Sequence, residues 1–145
     1  MPQVKKEYEV VEEYQSIASA LVNKYPEVFG EMDVTKLRCV AIMNKDRKND
    51  KLWEVRPVPM PIRMDCPYAY YITIFNKDWV EMDEIRRQYL VADTLHAIPD
   101  SEDEEGKVIA HDAKYYNPML RTFGPDFMEN AKLKNMLESE VKWVI

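Results

Sequence analysis

The chain is poor in the residues that build metal and disulfide sites: 145 residues contain two histidines and two cysteines. Cys39 and Cys66 lie in or beside apolar, strand-like segments, and nothing pairs them at metal-ligand spacing. In a reducing cytosol such thiols stay free, so neither a disulfide framework nor a cysteine-rich zinc site is expected. No apolar run approaches the ~20 residues of a bilayer span, which excludes a membrane partner through such a segment. Residues 1–13 are charged and lack an apolar stretch, so no secretory leader is expected. Internal repeats and low-complexity linkers are also missing, and residues 1–145 are expected to form a single domain. Net positive charge is lacking too, at −6, which argues against a sequence-independent nucleic-acid binder with a basic face. The one basic cluster, Lys45, Arg47, Lys48 and Lys51, falls within a single loop and reads as a solvated turn.

What is present suffices for a core: 46% of residues are hydrophobic and 11% aromatic. Tyr14, Ile17, Ala18, Leu21, Val22 and Tyr25 recur at helical spacing, and Pro26 and Gly30 are expected to close that helix. Residues 37–43 read as a strand, followed by a polar turn over 44–51. Prolines at 57, 59, 61 and 67 exclude a helix or a central strand from 53–67 and leave an extended edge or a loop. Residues 70–75 alternate as a strand, rich in β-branched and aromatic side chains. A second helix is expected over 79–98, stopped by Pro99, then an acidic loop over 100–105 ending at Gly106. Residues 111–121 suggest a helix broken at Pro118. Pro125, with Phe127, Ala131, Leu137, Val141 and Val144, suggests a C-terminal amphipathic helix over 126–145 that packs on the domain or on a partner. An α+β fold follows, a small sheet flanked by an N-terminal, a central and a C-terminal helix.

The segment 86–112, RRQYLVADTLHAIPDSEDEEGKVIAHD, carries the chemistry. In H-E-x-x-H, two histidines four apart on one helix face hold zinc, and the Glu between them polarises the attacking water. The same register here holds Ala92-Asp93-Thr94-Leu95-His96, so an alanine stands at the first ligand and an aspartate at the base. Before it run the strand over 70–75, Asn76-Lys77-Asp78-Trp79 and Arg86-Arg87-Gln88-Tyr89-Leu90; after it come His111-Asp112, Tyr115-Tyr116 and Arg121-Thr122-Phe123-Gly124. In that order the chain resembles the putative phage metallopeptidase family, small zincin-like domains of bacteriophage genomes, over roughly residues 13–128. The resemblance implies a zincin-like fold with His96 as the second zinc ligand, His111 as the third, Asp112 as its neighbour and Asp93 as the general base. Ala92 departs from the pattern, because a methyl group cannot ligate a metal.

Two histidines fall short of the three protein ligands that catalytic zinc commonly takes. Asp93 and His96, three apart, share a helix face, so Asp93 could complete a reduced set, but it would then no longer be free as the base. Zinc is therefore expected to be absent or weakly bound. Plain structural roles stand beside each assignment: a hydrogen-bonded, partly buried His96, a solvent-facing Asp93, and a helix-start carboxylate at Asp112. The acidic run lacks the ligand alternation of a calcium loop and reads as solvated. Trp53, Met60, Met64, Tyr68, Tyr70 and Tyr71 either line a peptide-binding edge or pack beneath the proline-rich segment. Residues 133–145 are either a docking helix for the domain's own core or an apolar hook for a partner. The expectation is a catalytically inactive zincin-like domain of phage origin that acts as a protein-binding or structural component. Its partner would be a phage or host protein, in the host cytoplasm or on the virion. The alternative is a zinc metallopeptidase with a reduced ligand set; an inhibitor of a host defence system is a third option.

Overall fold

A computed structural model describes residues 5–100, 104–110, 116–130 and 132–144. Strands β1 (Tyr8–Val10), β2 (Leu37–Ile42), β3 (Trp53–Pro57) and β4 (Tyr70–Phe75) form one sheet in the order β1-β2-β4-β3. The two central strands run parallel, with Leu37 opposite Tyr70 and Ile42 opposite Phe75, and the edges β1 and β3 are antiparallel to them. The alternation expected for 70–75 sets the two faces of β4, and burial follows the same period along β2 from Leu37 to Ala41. Leu37, Cys39, Ala41, Val55, Tyr70, Ile72 and Ile74 are buried in the core, whereas Tyr8, Val10 and Tyr71 look outward.

Helix α1 (Glu12–Lys24) buries Tyr14, Ile17, Ala18, Leu21 and Val22, with Glu12 and Glu13 in its first turn and Lys24 in its last, which suits the helix dipole. Pro26 does not simply close it. Proline at a first helical position needs no amide donor, and a second short helix α2 (Pro26–Phe29) starts there. Gly30 caps α2 at φ 65°, a backbone conformation that favours glycine, and a Cβ there would lie 2.2 Å from Asp100 Oδ2 and require that side chain to move.

Several expected boundaries are corrected. Residues 79–98 are not one helix: α4 (Asn76–Glu81) and α5 (Glu84–Leu95) are separated at Met82, which is extended, and Asp83 caps α5 by accepting the Arg86 amide at 2.8 Å. The proline-rich segment contains an edge strand, as expected, but also a one-turn helix α3 (Ile62–Asp65), because Pro61 can precede a helix that ends before Pro67. Pro118 opens α6 (Asn117–Phe123) rather than breaking it. The preceding residues 111–115 lie outside the described residues.

The expected C-terminal helix over 126–145 is the largest correction. Beyond a 3-10 turn at Phe127–Glu129, the described residues form turns and chain without regular secondary structure. Helical carbonyls would accept amides four residues on; here they are taken by another element. Lys24 Nζ donates to the carbonyls of Met136 (3.0 Å), Leu137 (3.1 Å) and Ser139 (2.8 Å), and Tyr25 Oη donates to Met136 O at 2.6 Å. Phe127, Met136 and Val141 are buried, so the segment packs on the domain as an irregular strap. Among the described residues no helix is long and apolar enough to cross a membrane.

Candidate functional site

Helix α5 crosses the interior, and Gln88 through Leu95 are all buried. Burial all round marks a central helix rather than one lying on the surface. Thr94 is fully buried and donates its hydroxyl to Val91 O at 2.6 Å. Its oxygen therefore accepts the Tyr14 hydroxyl, 2.7 Å away on α1.

Ala92, at the first ligand position of the zincin register, is fully buried. Asp93 faces inward at 2% exposure, which corrects the solvent-facing alternative. Its Oδ2 accepts a hydrogen bond of 3.2 Å from the Trp53 indole on the edge strand β3. Trp53 in turn stacks on Tyr116, with ring centroids 6.3 Å apart and planes 15° apart. The carboxylate that would serve as general base is thus tied to an aromatic pair.

His96 ends α5 as its C-cap. Its Nδ1 lies 2.7 Å from Ala92 O, and since a carbonyl only accepts, Nδ1 carries the proton and Nε2 the lone pair. Three rings surround the imidazole: Phe29 edge-on at 5.2 Å, Tyr116 stacked at 6.0 Å and Trp143 at 5.8 Å. This burial outweighs the favourable Ala92 carbonyl and Asp93 charge and pushes the His96 pKa below its ordinary value. His96 is therefore neutral near pH 7. Its buried Nε2 has no hydrogen-bond partner among the described residues, nor has Trp143 Nε1.

Neutral imidazole with Nδ1 anchored to a carbonyl is the form in which histidine ligates zinc through Nε2. Among the described residues no further donor set is assembled around it. Ala92 offers no donor atom, Asp93 is engaged by Trp53, and among the described residues no group of three His, Cys, Asp or Glu could hold a metal. His111 and Asp112 lie outside the described residues, as do residues 101–103 of the acidic run. Of that run, Glu105 forms a two-pronged ion pair with Arg63, at 3.0 and 3.2 Å. Both cysteines are free thiols.

Residue spacing did not point to Phe29, Tyr116 and Trp143 as neighbours of His96, because they come from three separate segments. Helical register alone did place Tyr14 on the buried face of α1. Compared with known families, the sequence matches the one described as putative phage metallopeptidase, over residues 6–140. No curated protein and no solved structure matches it.

Proposed function

The chain belongs to the putative phage metallopeptidase family, and we propose that it is a non-catalytic member, serving as a protein-binding or structural component of a viral or host-directed assembly. The observation that carries this reading is the use made of the three positions where the zincin motif would act. Ala92 is a core methyl group, Asp93 holds the Trp53 indole, and His96 packs among three aromatic rings. Each of these is a packing or hydrogen-bonding role inside the fold, whereas a hydrolytic site needs three metal ligands and an open coordination position.

A protein-binding role draws support from the β3 edge. β3 ends the sheet, so an extended peptide can add beside it as a further strand. The chain that follows it leaves Met60 73%, Ile62 60% and Met64 76% exposed, large apolar side chains suited to a partner's contact. A zinc peptidase with the reduced set His96, His111 and Asp93 is the second reading, favoured by the lone pair on His96 Nε2, which has no partner among the described residues.

The experiment is to restore the motif. Ala92→His together with Asp93→Glu is expected to take up zinc tightly, measured by elemental analysis and by a rise in melting temperature on adding the metal. If the double variant folds yet binds no zinc, α5 is not a zincin helix. Hydrolysis of an unstructured protein substrate by the unaltered chain, abolished by His96→Ala, favours the reduced-ligand peptidase.

A further inference from the structure

The outer face of the sheet carries features that neither the motif nor the helices explain. The opposite face is buried against the helical layer, but on this one Tyr8 is 54% exposed, Tyr71 36%, and Phe75 is partly exposed. Strand pairing sets Tyr8 opposite Ile42 and Ile42 opposite Phe75, so three neighbouring strands contribute one apolar row. Above that row lies an open hollow of ≈ 340 Å³ whose uncharged lining from the sheet is Tyr8, Ile42, Trp53, Thr73 and Phe75.

Its rim is basic on a chain whose net charge is −6. Lys6, Lys45, Lys48, Lys51 and Arg56 line the hollow against only Asp46 and Glu54. Both carboxylates are neutralised locally: Glu54 accepts from Arg56 at 2.9 Å, and Asp46 pairs with Lys77 at 3.6 Å. The four lysines have no ion-pair partner among the described residues. The loop bearing three of them is braced as well. Asn44 accepts the Glu7 amide at 2.9 Å and donates to Lys5 O at 2.8 Å, while Arg47 pairs with Asp78 at 3.2 Å and Asn49 accepts the Lys51 amide at 2.9 Å. Net charge averages over the whole surface; the strands and their loop concentrate the cations on one side.

We propose that this outer sheet face is a binding site for single-stranded nucleic acid, with Lys6, Lys45, Lys48 and Lys51 contacting the phosphates and Tyr8 and Phe75 stacking with bases. Lysines alone would suit any polyanion. The aromatic row favours one class, because every unpaired base offers a ring face to stack on exposed rings set in a cationic groove, whereas the Asp and Glu side chains of an acidic peptide offer none. A duplex hides its bases in its own stack and gains nothing from the rings. The side chains assigned to the nucleic acid lie on the face away from α5; Trp53, which also lines the hollow, is the one described residue in it that touches the zincin motif, through Asp93.

The test is fluorescence anisotropy of labelled oligothymidylate with the full chain at low salt, with polyglutamate and duplex DNA as competitors. Binding is expected, weakening steadily in logarithmic proportion to added salt as counterions are released. Lys48→Glu with Lys51→Glu, both on exposed side chains, is expected to weaken it at least tenfold. Tyr8→Ala, also on an exposed side chain, is expected to cost roughly fivefold or more, the lower end of a stacking contact. Unaltered circular dichroism of the variants separates lost binding from lost folding. Absence of binding at low salt, or binding indifferent to the lysine reversals, overturns the proposal. So does competition by polyglutamate equal to that of the oligonucleotide combined with no effect of Tyr8→Ala, the result that marks an acidic-protein site.

Discussion

Replacing Asp93 with alanine separates a structural carboxylate from a catalytic one through stability alone. Catalytic groups are commonly held at some cost to the fold, so removing one leaves stability unchanged or raises it. Here the carboxylate is 2% exposed and accepts the Trp53 indole at 3.2 Å. A hydrogen bond to a charged acceptor contributes about 1.5–3 kcal/mol, and little solvent reaches Asp93 to replace it. At this chain length each kcal/mol moves the melting temperature by roughly 3–4 °C. Asp93→Ala is therefore expected to lower it by roughly 5–12 °C, read by differential scanning calorimetry. Trp53→Phe removes the same bond from the other side but also shrinks the ring stacked on Tyr116, so the two single costs differ. Their combination isolates the shared bond: a double-mutant cycle is expected to give a coupling of about 1.5–3 kcal/mol. A coupling near zero, or a protein stabilised by Asp93→Ala, refutes the assignment of Asp93 to the fold.

Thr94→Val is isosteric but removes the acceptor of the buried Tyr14 hydroxyl, and it is expected to cost about 1–3 kcal/mol in denaturant unfolding, much of it recovered by adding Tyr14→Phe. Lys24→Met removes the cation that gathers the carbonyls of Met136, Leu137 and Ser139, and hydrogen exchange is expected to speed up over residues 132–144 while α5 stays protected. Burial holds the His96 pKa below its ordinary 6.5, so as pH falls through that value the unfolded chain takes up a proton before the folded one does. The stability that neutral His96 contributes is present above pH 6.5 and lost below it. The fall in denaturation midpoint between pH 7 and pH 5 is accordingly expected to shrink in His96→Gln, and an equal fall in both proteins contradicts the assignment.

The sequence was most legible where one periodicity met one environment. Residues 70–75 alternate because one face of β4 is buried, and the stripe from Tyr14 to Val22 repeats helically because α1 packs on one side only. Strand β1 has no such pattern: Tyr8, Glu9 and Val10 are all exposed, and pairing with β2 alone makes them a strand. The break between α4 and α5 was written in Asp83, a capping residue, but the apolar residues on either side masked it. In the C-terminal segment the helical spacing of Phe127, Val141 and their neighbours was real, yet Lys24 and Tyr25 claim the carbonyls a helix would use. A contact made more than a hundred residues away in sequence leaves no local trace.

The site divided in the same way. Ala92, Asp93 and His96 could be placed by register, since five consecutive residues at the end of one helix fix their geometry. The rings around His96 come from α2, from the residue before α6 and from the C-terminal strap, so only the folded chain brings them together. Likewise Lys6 lies far in sequence from the loop at 44–51, and it took the pairing of β1 with β2 to bring it beside that loop above one face.

Zinc content of the untagged protein, measured by elemental analysis beside His96→Ala and His111→Ala, bears most directly on whether the zincin motif has been turned over to packing. A retired site predicts zinc far below one per chain in all three proteins. Near-stoichiometric zinc in the unaltered protein, lost in both variants, contradicts that conclusion and establishes a metal centre built on the reduced ligand set.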